Sequence, residues 1–233
     1  DATLRETEPL LKSCDQPERR KAIQVNRALL ALIRQDYHGA GAALKCAATV
    51  ECAAMAPDIE AMCRYVAGHL ALQRGKFARA REEFKELSKG PKDDSGTLER
   101  EPWLLDGVWH GVVGLARVAE EIGPDPSTGA TADELYAQAD EIARIGQLLL
   151  PLAYGRSGYL SRYVLGPALH IDSLWRQGKF QEAMEVLRRT RRWATSDMAA
   201  LRASNQHAGK EAPDGPSRYQ KQARELARAL YTW

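Results

Sequence analysis

Apolar residues recur at three- and four-residue steps through residues 61–92, which is the spacing of a helix with one buried face. The first run stops at Gly75, and the second run stops at Gly90 and Pro91. Glycine and proline at these places are typical helix-ending signals, so the pattern predicts a helical hairpin. The apolar positions are Met62, Tyr65, Val66, His69, Leu70 and Leu72 in the first helix and Phe77, Ala80, Phe84 and Leu87 in the second.

The same pattern returns elsewhere in the chain. The segment from Gln73 to Phe77 reappears almost unchanged from Gln177 to Phe180. The spacing of Phe77, Ala80 and Phe84 is repeated by Tyr37, Ala40 and Leu44 and again by Phe180, Ala183 and Leu187. Recurrence of one pattern along a chain indicates structural repeats.

The repeated segment resembles the tetratricopeptide repeat (TPR). Ala67 and Gly68 stand at the Leu-Gly pair of that family, Ala80 at its small residue, Phe84 at its aromatic residue and Pro91 one place before its closing proline. The resemblance implies an all-α, TPR-like α-solenoid of helical hairpins with N- and C-terminal capping helices. We expect one domain over residues 1–233, with repeats at about 21–54, 61–92, 103–150 and 159–193 and a capping helix at 217–231.

Two local features refine this prediction. Gly68 and Ala80 are small residues inside otherwise good helices, so we expect the two helices of the hairpin to cross closely there. Residues 89–100 and 124–130 are rich in helix breakers and predict loops, and Thr131 with Glu134 predicts a capping box at the next helix.

Composition agrees with a helical fold and gives no reason to expect nucleic acid or a membrane as the partner. Charged residues make up 27% of the chain, yet the net charge is only +2, so no strong field favours nucleic acid or a membrane surface. Alternating Val, Ile and Thr is nearly absent. No apolar run approaches the roughly 20 residues of a membrane span, so we expect no membrane insertion.

All four cysteines lie within the first 63 residues, and the chain opens at Asp1 without a methionine. An even, clustered set of cysteines is typical of oxidising compartments. We therefore expect a periplasmic or secreted protein whose signal peptide was removed, with all four cysteines in disulfides. Three pairings are possible, of which Cys14 with Cys63 and Cys46 with Cys52 is favoured.

Residues that could carry catalysis are scattered. No helical His pair of the zinc-protease type and no glycine-rich phosphate loop occurs, so we expect no enzyme activity, no cofactor and no metal site. The basic run from Arg188 to Arg192 is interpreted as the end of a helix, where cations suit the negative end of the helix dipole.

The TPR resemblance implies that the first helix of each hairpin lines a concave groove. A loop with tyrosines, arginines and two glycines, at 154–163, supplies further candidates because Tyr and Arg favour interface hot spots. The expected partner-binding residues are Met62, Tyr65, His69, Leu72 and Gln73; Leu165, Ala168, Asp172, Trp175 and Arg176; and Tyr154, Arg156, Tyr159 and Arg162.

These observations predict a protein- or peptide-binding scaffold or adaptor of the cell envelope, and they leave homo-oligomerisation open. An alternative from another class is the helical-superhelix portion of a cell-envelope glycan-processing enzyme. A third hypothesis, a cytosolic regulator that contacts nucleic acid through Arg188–Arg192, predicts steeply salt-dependent binding.

Overall fold

A computed structural model of the chain describes residues 16–50, 57–90, 104–149 and 163–192. These residues form eight helices and no strand, which confirms the all-α class. The helices are α1 (Pro17–Ile33), α2 (Tyr37–Ala48), α3 (Pro57–Gln73), α4 (Phe77–Ser88), α5 (Leu104–Ile122), α6 (Ala132–Leu149), α7 (Leu165–Arg176) and α8 (180–192).

The chain divides into two compact units, Asp1–Ser88 and Lys89–Trp233, which we call unit 1 and unit 2. Helices α1 to α4 belong to unit 1, and helices α5 to α8 belong to unit 2. Among the described helices, none combines the length and the apolar character needed to cross a bilayer.

Three of the connections between consecutive helices share one turn geometry. The helix ends in a residue with a left-handed backbone, and the amide after it donates to a carbonyl five residues earlier, as in a Schellman motif. The left-handed residues are Gln35 (φ 61°), Gly75 (φ 65°) and Gly178 (φ 76°). The closing bonds are Asp36 N to Ala31 O, Lys76 N to Ala71 O and Lys179 N to Leu174 O, each 2.9 Å.

In unit 1, α3 packs against α1, α2 and α4. Alanines and branched aliphatic residues form the core where α1, α2 and α3 meet, namely Ala28, Ala40, Val66 and Leu70. Phe84 of α4 is fully buried, and so is Ala80. A Cβ atom added to Gly68 would lie 2.6 Å from Cε1 of Phe84, so α3 and α4 cross closely at this glycine.

In unit 2, α6 packs against both α5 and α7. Trp109 of α5 is fully buried and meets the ring of Tyr163 edge-on, with ring centroids 5.0 Å apart. Trp109 also packs closely on the backbone of α7 at Gly166, where an added Cβ atom would lie 2.8 Å from Cζ2 of Trp109. Helix α8 packs on α7 through a small cluster of Leu174, Ala183, Val186 and Ile171.

The start of α6 has the predicted capping box. The Thr131 amide donates to the Glu134 carboxylate at 2.9 Å, and the Glu134 amide donates to Thr131 Oγ1 at 3.3 Å. The bond from the Thr131 amide lowers the pKa of Glu134. The preceding turn is organised by Asp125, whose Oδ1 accepts from the amides of Ser127 and Thr128.

Candidate protein-binding surface

On α3, most of the predicted binding residues are partly covered. Met62, Tyr65 and His69 are half-buried, Leu72 is buried and Gln73 is exposed. The His69 ring meets Tyr65 at a centroid distance of 4.4 Å and Phe84 at 5.2 Å, edge-on to both. These contacts hold His69 against its own hairpin, so the expected binding face of unit 1 offers little open surface.

On α7, the predicted residues are open to solvent. Leu165, Ala168, Asp172, Trp175 and Arg176 are all exposed. Trp175 is 57% exposed and Leu165 is 51% exposed, although both are large apolar side chains. The face predicted on α7 is therefore available to a partner, unlike its counterpart on α3.

Helix α8 adds two apolar residues that sequence reasoning did not assign to the binding surface. The Phe180 ring packs edge-on against Trp175 at 4.8 Å, yet it is 52% exposed, and Met184 lies one helical turn further along α8. The turn at Gly178 folds Phe180 back onto Trp175. We call Trp175, Phe180 and Met184 the Trp175 patch.

A polar cleft of about 470 Å³ lies close to this patch, between the end of α5, the start of α6 and the turn that follows α7. Its charged residues pair with one another. Lys179 Nζ lies 2.6 Å from Asp133 Oδ2, and Arg176 lies 3.1 Å from Asp172 and 3.4 Å from Glu120. These pairs orient Arg176 and Lys179 and leave the cleft with compensated charges.

A second polar group is buried between α6, α7 and α8. Arg189 Nη2 donates to Asp140 Oδ2 at 2.8 Å, although Asp140 is only 3% exposed. The rings of Tyr136 and His170 are stacked at 5.3 Å. In the part of the chain that the structure describes, Asp140 Oδ1 and His170 Nδ1 have no hydrogen-bond partner. Asp140, Tyr136 and His170 are buried, whereas the Arg189 side chain is 40% exposed.

Burial dominates the titration of this buried group. It raises the pKa of Asp140 to about 6 despite the neighbouring Arg189 guanidinium, because a desolvated carboxylate is unfavourable. Burial also lowers the pKa of His170, so its imidazole is neutral near pH 7. Along α6, Asp140 looks like an ordinary polar-face residue, so nothing in the sequence pattern marks its burial.

Comparison of the chain with models of protein families, with curated proteins and with solved structures finds no match.

Six of the residues singled out in the sequence fall outside the part of the chain that the structure describes. Tyr154, Arg156, Tyr159 and Arg162 lie outside the described residues, as do Cys14 and Cys52. Cys46 is exposed and Cys63 is half-buried, and the structure shows neither of them in a disulfide. The expected disulfides are therefore not seen, and because each needs a cysteine outside the described residues, the pairing stays a prediction.

Two further features considered in the sequence are the basic run and metal binding. The basic run from Arg188 to Arg192 lies on α8, at the end of its described residues. Its interpretation as the end of a helix stays a prediction. Within residues 16–50, 57–90, 104–149 and 163–192, no group of three His, Cys, Asp or Glu side chains is placed to hold a metal ion.

Proposed function

We propose that this protein is a protein-binding scaffold of TPR-like helical hairpins and that unit 2 binds a segment of its partner through the Trp175 patch. The repeat interpretation is supported by the turn geometry shared at Gln35, Gly75 and Gly178. It is supported further by the near-identical sequences around the last two of these turns. The interpretation extends to an α-solenoid with a capping helix at each end.

The observation that carries the binding proposal is the exposure of two aromatic rings and a methionine at one place. Trp175, Phe180 and Met184 are each more than 40% exposed, and the two rings pack edge-on against each other. Clustered exposed apolar side chains mark interaction sites on protein surfaces. Trp is among the residues that contribute most to binding energy at interfaces, and Met adapts its shape to a partner.

The surroundings of the patch fit an interface rim. Arg176 and Asp172 on α7 and Lys179 at the start of α8 are charged side chains paired in fixed geometry. A polar, solvent-exposed border around an apolar centre is the usual anatomy of a protein interface. We infer that the partner contributes an apolar side chain to the centre and polar groups to this border.

We also propose that the protein acts in the periplasm or outside the cell. This proposal rests on the even number of cysteines and their clustering near the start of the chain.

The binding proposal is tested with a variant that removes both rings, Trp175→Ala with Phe180→Ala. Tagged wild-type and variant proteins are used to capture partners from extracts of the native source, with quantitative mass spectrometry as the readout. Both side chains are more than half exposed, so their truncation should leave the helices folded. Loss of hot-spot residues worth about 2 kcal/mol or more should weaken binding of a captured partner roughly 30-fold or more.

The matched control is Leu30→Ala with Ile33→Ala, which removes two exposed apolar side chains from α1 of unit 1. A partner that uses the Trp175 patch is retained by this control and lost by the patch variant. Capture of the same proteins by the wild type and the patch variant would contradict the assignment of the site. Failure of the wild type to enrich any protein over the tag alone would contradict the scaffold function.

A further inference from the structure

Unit 1 contains a cleft of about 370 Å³ that is lined by cations. It lies between α2, the end of α3 and the start of α4. None of the described residues that line it is acidic. Its polar side chains are His38 and Lys45 on α2 and Arg74, Lys76 and Arg79 at the turn between α3 and α4.

Most of these cations have no carboxylate partner. Lys45, Arg74 and Lys76 form no ion pair with any residue in the described part of the chain, and Arg79 reaches Glu83 only at 3.9 Å. The charges of unit 1 can pair well elsewhere, because Arg64 lies 2.8 Å from Glu60. Like charges gathered around one cleft repel each other and attract an anion.

The backbone around the cleft favours the same ligand charge. Helix α4 begins at Phe77, and the residue before it, Lys76, carries no side-chain acceptor for the free amides of the first turn. The N-terminal end of a helix carries a partial positive charge that stabilises carboxylates. A Cβ added to Gly41 would lie 3.0 Å from Nη2 of Arg74, so the guanidinium lies close over the α2 backbone.

The floor of the cleft is apolar. Leu44, Ala42 and Ala48 of α2 face this floor together with three residues of α3, namely Leu70, Ala67 and Ala71. An apolar floor below a cationic rim suits a side chain of a peptide whose neighbours are acidic. It suits nucleic acid less well, because the described residues that line the cleft include no Phe, Tyr or Trp to stack on a base.

We propose that this cleft binds an acidic segment of a partner protein, with an apolar side chain on the alanine and leucine floor and flanking carboxylates on Lys45, Arg74, Lys76 and Arg79. The inference goes beyond the function proposed for the Trp175 patch. The two sites lie in different units and share no residue, so the failure of one assignment leaves the other standing.

The test uses the full chain and a fluorescein-labelled peptide of four glutamates around one leucine, followed by fluorescence anisotropy. We expect saturable binding that weakens as salt rises from about 50 to 300 mM, since exposed charges are screened. Arg74→Gln with Lys76→Gln should weaken binding roughly three- to tenfold or more, given the modest worth of each exposed charge pair. Circular dichroism checks that the variant is folded.

The matched control is Arg19→Gln with Arg20→Gln, which removes the same charge from exposed positions on α1 that do not line the cleft. We expect this variant to bind the peptide as the wild type does. Equal weakening by both variants would show attraction to net charge alone and would overturn the site.

The peptide itself also has controls. A peptide with glutamine in place of glutamate, and one with serine in place of leucine, should each bind more weakly than the original. Absence of saturable binding would overturn the proposal, and so would full retention of affinity by either altered peptide. Tighter binding of a labelled single-stranded oligonucleotide that is lost in the Arg74/Lys76 variant would assign the cleft to nucleic acid instead.

Discussion

The close crossing of α3 and α4 predicts that the smallest enlargement of Gly68 destabilises unit 1. A Cβ at this position would lie 2.6 to 2.9 Å from three ring carbons of Phe84, closer than carbon atoms approach without repulsion. Phe84 is fully buried, so its ring cannot swing out to solvent. The helices must separate or the ring must leave its preferred rotamer in Gly68→Ala.

Two opposing terms set the magnitude. Alanine in a helix interior is favoured over glycine by about 0.5–1 kcal/mol because it loses less backbone entropy on folding. Overpacking of a well-filled core costs about 1–3 kcal/mol. The steric term is the larger, so we expect Gly68→Ala to lower the free energy of unfolding by about 1–2 kcal/mol.

Urea unfolding followed by far-ultraviolet circular dichroism measures this change. For a urea dependence of about 2 kcal/mol per molar, the midpoint of the transition that reports unit 1 should fall by about 0.5–1 M. Gly41→Ala is the matched control, because a Cβ there meets only the flexible end of Arg74. The control should be neutral or slightly stabilising.

A second variant separates steric strain from other effects. Phe84→Leu replaces the ring that obstructs the new methyl group with a smaller side chain. The double variant should therefore be more stable than the sum of the two single effects predicts. If Gly68→Ala is as stable as the wild type, or if the double variant is strictly additive, the close packing of Gly68 on Phe84 is refuted.

Three further predictions concern Gln35, Asp140 and the four cysteines. Gln35→Gly should raise the stability of unit 1 by about 0.5–1 kcal/mol, since glycine adopts the left-handed backbone of this turn without strain; a lower urea midpoint would contradict this. The raised pKa of Asp140, about 6, means that its contribution to stability is present below its unfolded pKa of about 4 and is lost as pH rises through 6. As pH rises from about 4 to about 7, the free energy of unfolding of Asp140→Asn should therefore increase relative to that of the wild type. A constant difference across that window would show that Asp140 does not titrate with a raised pKa. Finally, all four cysteines should resist alkylation in unreduced protein from its native source; mass spectrometry that finds four alkylated thiols would reject the disulfides and the extracytoplasmic proposal.

The sequence predicted the helical class and several helix ends, because these depend on groups close together in the chain. The Thr131–Glu134 capping box forms between residues three apart. The turns at Gly75 and Gly178 need only a residue that accepts a left-handed backbone and the amides beside it. Such interactions are local, so they can be read from spacing and residue type.

The tertiary structure alone decided which faces of these helices are covered. Phe77 and Phe180 occupy the same place in nearly identical sequences, yet Phe77 is half-buried and Phe180 is exposed beside Trp175. His69, which was expected on a binding face, is half-buried and packs edge-on against Phe84. The burial of a side chain depends on what packs against its helix, and the local pattern carries no record of that neighbour.

The grouping of charged side chains likewise depends on the tertiary structure. Lys45 and Arg74 look like ordinary surface cations in the sequence, and only the packing of α2 beside the turn between α3 and α4 brings them to one cleft. Asp140 looks like a solvated acid, and only the approach of α8 buries it beside Arg189. Helix positions come from short-range hydrogen bonding and apolar periodicity, whereas sites are assembled from residues far apart in the chain, whose meeting is set by long-range packing.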